Sequence, residues 1–198
     1  MTSAIMLYRG IVPALLIAAL SLSQAAANGA EGHWLDDFND DIELYSVDGY
    51  RLLRYRSPTP ATSEDAVTLS TAQLKQLLDS ASPPALLDVQ PLPWHNGFFV
   101  QKEARQHIPG SRWIPNVGLG ELTTDQEQYF RDQLAISSNG ERDHPLVIYC
   151  RADCWMSWNA VKRASRWGFR QLYWYREGTD GWRDAGLKMS TATPVPLN

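Results

Sequence analysis

The chain has 198 residues, 44% of them hydrophobic and 20% charged, with a formal net charge of −4. That is enough for one domain with a real core plus an extension, and the mildly acidic balance excludes the basic footprint of a nucleic-acid or anionic-membrane binder. Two cysteines in the whole chain exclude a disulfide-dense scaffold, while eight tryptophans and eight tyrosines supply large aromatic contacts for a core or a partner surface.

Arg9 is the only charge before Glu31, and it precedes the apolar run from Ile11 to Leu20 and the small-residue stretch Ala25-Ala26-Ala27. A basic start, a short apolar core and an Ala-x-Ala site predict a secretory signal peptide over residues 1–27, cleaved after Ala27, and hence export to the periplasm. The run is too short to span a bilayer comfortably and no second one follows, so no stable membrane insertion is expected after cleavage. Cleavage takes away one positive charge and no negative one, moving the net charge from −4 to −5.

Residues 28–67 form an N-terminal extension. Asp41 to Tyr45 alternates apolar with polar, Asp48-Gly49 is a turn signal, and Tyr50 to Arg56 alternates again, which predicts a hairpin. Ser57-Pro58-Thr59-Pro60 then breaks regular structure, and Ala61 to Asp65 reads as a linker.

From Thr68 strands alternate with helices. Ser70 or Thr71 caps a helix whose Leu74, Leu77 and Leu78 share a face, and Ala85 to Val89 is a short apolar strand. Residues 90–107 read as a long irregular connection. Ser111 to Ile114 suggests another strand, and Thr123 or Thr124 caps a helix carrying Tyr129, Phe130 and Leu134. A buried strand ends at Tyr149, a helix runs from about Met156 to Trp167 where Gly168 stops it, and Leu172 to Tyr175 is the next strand. The order predicts an α/β domain over residues 68–185, with a mainly parallel sheet flanked by helices, followed by a tail over 186–198.

Chemistry in such folds sits at the carboxyl ends of strands, where loops meet helix N-termini. Cys150 and Cys154 occupy that kind of loop, in which unpaired N–H groups and a helix dipole favour a thiolate. One structural disulfide is the ordinary reading of two cysteines in an exported protein, but a bridge across three residues closes a very small loop and stabilises less than a long-range staple. A redox or reactive role therefore stands beside it, with Cys150 as nucleophile and Cys154 as resolving thiol. Arg151 favours the thiolate and Asp153 opposes it. A separate reading makes both thiolates ligands of a soft metal such as Cu(I), completed by Met156 and one of His33, His95, His107 or His144. No metal site is assigned, and the cofactor is left unspecified.

The landmarks Leu87-Asp88-Val89, Ile108-Pro109-Gly110-Ser111, Val147-Ile148-Tyr149-Cys150, Gly168-Phe169, Glu177-Gly178 and Gly181-Trp182 resemble, in order, those of a rhodanese domain. The resemblance implies that Cys150 matches the nucleophile that carries a persulfide sulfur in active members, and that backbone amides of Arg151, Ala152, Asp153, Cys154, Trp155 and Met156 cradle it. It also implies that Asp88 is structural support that fixes neighbouring N–H groups. Gly178 and Gly181 read as conformational glycines, Gly178 and Trp182 as structural support for the site, and Trp155, Trp158 and Trp182 as candidates for its rim. Trp113, Trp167 and Trp174 fall on apolar faces and read as core, and Arg105 and Arg112 read as solvated surface residues. Trp155 stands where many rhodaneses have an Arg, which disfavours an oxyanion donor such as thiosulfate.

A closer resemblance runs through Gly49-Tyr50-Arg51, Tyr55-Arg56-Ser57-Pro58 and Pro60, the stretch from Cys150 through Cys154-Trp155-Met156-Ser157-Trp158-Asn159-Ala160, and Glu177 to Trp182. These are similar to the exported rhodanese-like family named for its CXXCW motif and associated with catabolism dependent on pyrroloquinoline quinone (PQQ), although this chain has three residues between the cysteines. That resemblance implies sulfurtransferase or thiol–disulfide chemistry in support of quinoprotein alcohol catabolism, or a non-catalytic accessory role beside a quinoprotein dehydrogenase or its electron-transfer and transport partners.

Overall fold

Apolar four-residue runs with no polar alternation need cover on both faces, and such strands build the centre of this molecule. The computed structural model describes residues 44–197, all within the unit Phe38–Asn198. The signal-peptide reading, His33 and the first part of the predicted hairpin strand (Asp41 to Glu43) lie outside the described residues. In chain order the elements are β1 (Val67–Thr68), α1 (Thr71–Leu78), β2 (Ala85–Asp88), β3 (Trp94–His95), β4 (Phe98–Phe99), β5 (Gln106–His107), β6 (Arg112–Trp113), α2 (Thr124–Ser137), β7 (Leu146–Tyr149), α3 (Trp155–Arg166), β8 (Leu172–Tyr175), α4 (Gly178–Asp184) and β9 (Ser190–Thr191). Five of them form a sheet in the order β1-β8-β7-β2-β6, parallel at every pairing.

The register aligns Asp88, Tyr149 and Tyr175 across the three central strands, so β2, β7 and β8 end level. Side chains then alternate between two cores. Leu87, Ile148 and Trp174 face α2 and α3 with Phe130, Leu134, Ala160 and Val161. Leu86, Val147, Tyr149 and Tyr175 face the other side with Leu74, Ile108 and Trp182.

Helix starts follow side-chain chemistry in two cases and tertiary contact in a third. Ser70 with Gln73, and Thr123 with Gln126, form complete capping boxes for α1 and α2. Helix α3 starts at Cys154, whose side chain caps nothing. The first amide of that helix, Trp155 N–H, instead donates to the Tyr55 carbonyl at 2.9 Å. Gly168, at φ +88°, ends the same helix in a conformation that suits only glycine well.

Two segments differ from the sequence reading. The connection 90–107 is not wholly irregular: β3 and β4 pair around Asn96-Gly97, both at positive φ, and β5 pairs with β9 of the tail. An Asn-Gly pair flanked by aromatics is a two-residue hairpin signal, here lost among prolines. The described part of the extension hairpin narrows to one bridge, Tyr45 with Arg51, closed by Ser46 N–H on the Tyr50 carbonyl at 2.8 Å. Among the described residues no helix is long and apolar enough to cross a membrane.

One buried side chain locks the extension to the domain. Asn159 on α3, fully buried, accepts from Arg51 N–H at 2.9 Å and donates to the carbonyls of Arg51 and Gly118 at 2.8 and 2.9 Å. Arg163, one turn on, donates to the carbonyls of Val117, Leu119 and Gly120 at 2.9–3.1 Å. Asn159→Ala leaves three buried backbone groups unpaired, so it is expected to lower the unfolding free energy in urea by about 2–4 kcal/mol.

Candidate active site

Strand β7 delivers Cys150 to the carboxyl end of the sheet, and four residues later α3 begins. Cys150 is wholly buried, Cys154 is 3% exposed, and the two are joined as a disulfide with their Cα atoms 6.2 Å apart. Between them Arg151 and Ala152 are half-buried, and Asp153 turns the chain at φ +50°.

A loop that buries its sulfurs must also pair its backbone. The Cys150 carbonyl accepts from Thr179 N–H at 3.0 Å and from Gln90 Nε2 at 3.3 Å. Ala152 N–H donates to Asp180 Oδ2 at 3.2 Å, and the Ala152 carbonyl accepts from the Arg56 guanidinium. The Cys154 carbonyl accepts from Ser157 Oγ at 3.1 Å, and that hydroxyl accepts from Trp174 Nε1 at 3.0 Å. Gly178 bridges Arg151 at φ +55°, and a Cβ there would lie 2.6 Å from Arg151 Cα, so only glycine permits this approach.

The extension roofs the loop. Trp155 makes edge contacts with Tyr45 and Trp158, its ring faces the Arg51 guanidinium at 4.9 Å, and its Nε1 donates to Ser57 Oγ at 3.0 Å. Arg176 lies 3.5 Å from Asp153 and donates to Thr59 Oγ1 at 3.0 Å. Arg151 is held below its ordinary pKa by burial and then by Arg56, while Asp180 opposes the shift, and its Nε is buried without a partner among the described residues.

Beside the loop lies a buried ionic cluster. Asp88, at the end of β2 and fully buried, accepts from Gln90 N–H at 3.0 Å and pairs with the Arg105 guanidinium, which stacks 3.8 Å from the Trp113 ring centroid. His107 Nδ1 stands 3.8 Å from the same carboxylate. Burial pushes the Asp88 carboxyl up to about 7, more than Arg105 and the Gln90 hydrogen bonds bring it down. Burial, then Arg105, lowers His107.

Several sequence-based assignments change. Arg105 is not a solvated surface residue: the Asp88 carboxylate draws it in, leaving its side chain 22% exposed. Arg112 is half-buried and donates to Gln133 Oε1 at 2.6 Å. Trp182 packs in the core beside Tyr149 and Ile108, with Nε1 on the Lys188 carbonyl, a position of structural support and not of the site rim. Gly181 has an ordinary φ and serves close packing within α4, where a Cβ would meet Glu177. Met156 is 1% exposed and lies in the core, and among the described residues no group of three or more His, Cys, Asp or Glu could hold a metal ion. Sequence reasoning assigned no role to Arg51, Arg56, Gln90, Asn159 or Asp180. All but Gln90 fall inside the quoted motif stretches, which was the available signal.

The family model described as Rhodanese-like domain matches residues 70–185. The chain belongs to the rhodanese-like family. Among solved structures, this rhodanese-like domain is similar to a thiosulfate sulfurtransferase from Pseudomonas aeruginosa, at 14% identity and TM-score 0.47, over 67% of this chain and 22% of that one. It therefore spans well under half of that enzyme. It is also similar to the Alr3790 protein from Anabaena sp., at 19% identity and TM-score 0.45 over 63% of this chain and 92% of that one. A polysulfide-sulfur transferase homodimer from Wolinella succinogenes matches at 20% identity and TM-score 0.42, over 64% and 79%. No curated protein matches the chain.

The ionic cluster predicts a pH dependence. Because Asp88 titrates near 7 in the fold against an ordinary value of 3.8, the fold favours its neutral form. That stabilising contribution is complete below the unfolded value and is lost as pH rises through the folded one. Denaturant titrations from about pH 4 to about pH 8 should show wild type losing stability relative to Asp88→Asn; parallel curves would contradict the assignment.

Proposed function

We propose that this is an exported, periplasmic rhodanese-like protein whose Cys150–Cys154 pair acts as a thiol redox couple in support of quinoprotein-linked alcohol catabolism. The observation that carries the reading is the pairing of the cysteines within a strand-to-helix loop of the rhodanese-like domain. The loop's hydrogen bonds add to it: the amides of Ala152 and Trp155 already serve Asp180 and Tyr55, so they do not converge as an open cradle for an outer sulfur. The pathway and the compartment are supported by the extension, the Cys154-Trp155 motif and the signal-like start. The assigned roles are Cys150 as nucleophile and Cys154 as resolving thiol.

In the oxidising direction a substrate thiolate attacks one sulfur of the pair and forms a mixed disulfide. A second substrate thiolate then displaces the protein thiolate, so the pair gains two electrons and two protons and the substrate loses them. Family membership supports a second chemistry at the same residues. A persulfide on reduced Cys150 would be attacked at its inner sulfur by the Cys154 thiolate, re-forming the Cys150–Cys154 disulfide and releasing hydrosulfide. A non-catalytic or copper-binding accessory role is the alternative, and it lacks support from Met156, which packs in the core.

Titration of the purified protein against thiol buffers, read by intact mass, is expected to show a reversible two-electron transition above about −300 mV, absent in Cys150→Ser. A midpoint well below that value, with full function in the Cys150→Ser, Cys154→Ser double variant, would mark the disulfide as merely structural. For the pathway, Cys150→Ser is expected not to restore growth on an alcohol oxidised by a quinoprotein in a strain lacking this protein, where wild type does. Equal growth of the two would count against the assignment.

A further inference from the structure

The segment Tyr55–Thr59 covers the cysteine loop as a bound peptide would. It meets the loop in a single bridge at Arg56 and bends at Ser57, with Tyr55, Ser57 and Thr59 turned inward and Arg56 and Pro58 exposed, an alternation like that of a docked strand. Its backbone pairs with the loop: Arg56 lies antiparallel to Cys154, Trp155 N–H donates to the Tyr55 carbonyl, and Thr59 N–H donates to Asp153 Oδ1 at 3.4 Å. Its side chains use polar contacts, with Ser57 Oγ accepting from Trp155 Nε1 and the Arg56 guanidinium on the Ala152 carbonyl, 3.8 Å from Asp180. Tyr55 also packs against the core, and one acid, Asp180, stands beside the place where the arginine of this segment sits. Arg54, just upstream, is held at φ +50°, a conformation disfavoured for a non-glycine residue.

We infer that the strip from Ala152 to Trp155 is a strand-docking site, occupied at rest by the chain's own Tyr55–Thr59. Its external partner is an extended polypeptide segment with a basic residue in the place of Arg56 and a hydroxyl residue after it. Strand addition supplies main-chain affinity, and the Asp180 carboxylate selects the basic residue. This rests on the redox reading to the extent that the docked segment is what the cysteine pair acts on. An internal strand is present at an effective concentration on the order of millimolar, so it shields the disulfide from casual thiols and yields only to a partner that matches it.

The test uses the full-length mature protein in the oxidised state and a fluorescent peptide with the sequence of residues 54–60, Arg-Tyr-Arg-Ser-Pro-Thr-Pro. Arg56 is 49% exposed, so Arg56→Ala loosens the internal strand without opening the core. The variant is expected to bind the peptide saturably and roughly tenfold tighter than wild type, and to be reduced by dithiothreitol roughly three- to tenfold faster. Added peptide should slow that reduction, while a peptide with glutamate at the Arg56 position should neither bind nor protect. Equal reduction rates with no peptide binding in either protein would overturn the proposal. If Arg56→Ala loses its cooperative unfolding transition, Ser57→Ala, which removes only the acceptor of the Trp155 indole, must give the same two readouts or the proposal fails. Binding is measured without turnover, so it can fail while the cysteine pair still titrates, and the two readings fall separately.

Discussion

Placing both sulfurs of the Cys150–Cys154 loop out of solvent takes much of its backbone out of solvent as well, and an unpaired buried amide or carbonyl costs about 1–3 kcal/mol. Each partner that meets this demand comes from somewhere else in the chain. Helix α4 contributes Thr179 and Asp180, the segment after β2 contributes Gln90, α3 contributes Ser157, and the extension contributes Tyr55 and Arg56. The arrangement explains why this rhodanese-like domain carries an extension at all. A loop ending in cysteine cannot cap its own helix, and a carbonyl from outside the domain takes over the first amide.

The same demand ties the cysteine loop to the ionic cluster. Gln90 holds the Cys150 carbonyl and Thr179 with its amide nitrogen, holds Asp88 with its backbone N–H, and accepts from the Trp113 indole with its carbonyl. A change in the ionisation of Asp88 is therefore separated from the cysteine backbone by a single side chain. Arg105 and His107 complete the environment in which that carboxyl titrates.

Much of the architecture was legible in the residues themselves. Four-residue apolar runs, Ser70 and Thr123 as caps and Gly168 as a stop each signal structure within a few positions, and the parallel sheet follows from their order. The β3–β4 hairpin was hidden behind Pro91 and Pro93, which directly precede it. The site was legible only as a place. Cys150 and Cys154 announce a reactive loop, but the segment that covers it, Thr59 back to Tyr55, makes its contacts 94 to 100 positions away in sequence. Nothing local to Arg56 signals that it reaches the Ala152 carbonyl, and nothing local to Arg105 signals that a buried carboxylate removes it from solvent. Trp182, beside glycines and acids, reads as a rim aromatic and is core because Ile108, and Tyr149 of β7, meet it from elsewhere in the chain.

The central claim is that the protein at rest holds a covered Cys150–Cys154 disulfide that can be opened and closed. Intact mass of the mature protein, taken from its own compartment without reductant and exposed to a thiol-alkylating reagent before and after reduction, tests it most directly. The account predicts a mass two hydrogens below the dithiol form and no alkylation before reduction, then two alkyl groups after it. Free alkylatable thiols at isolation, or a retained extra sulfur with one cysteine unpaired, would contradict it.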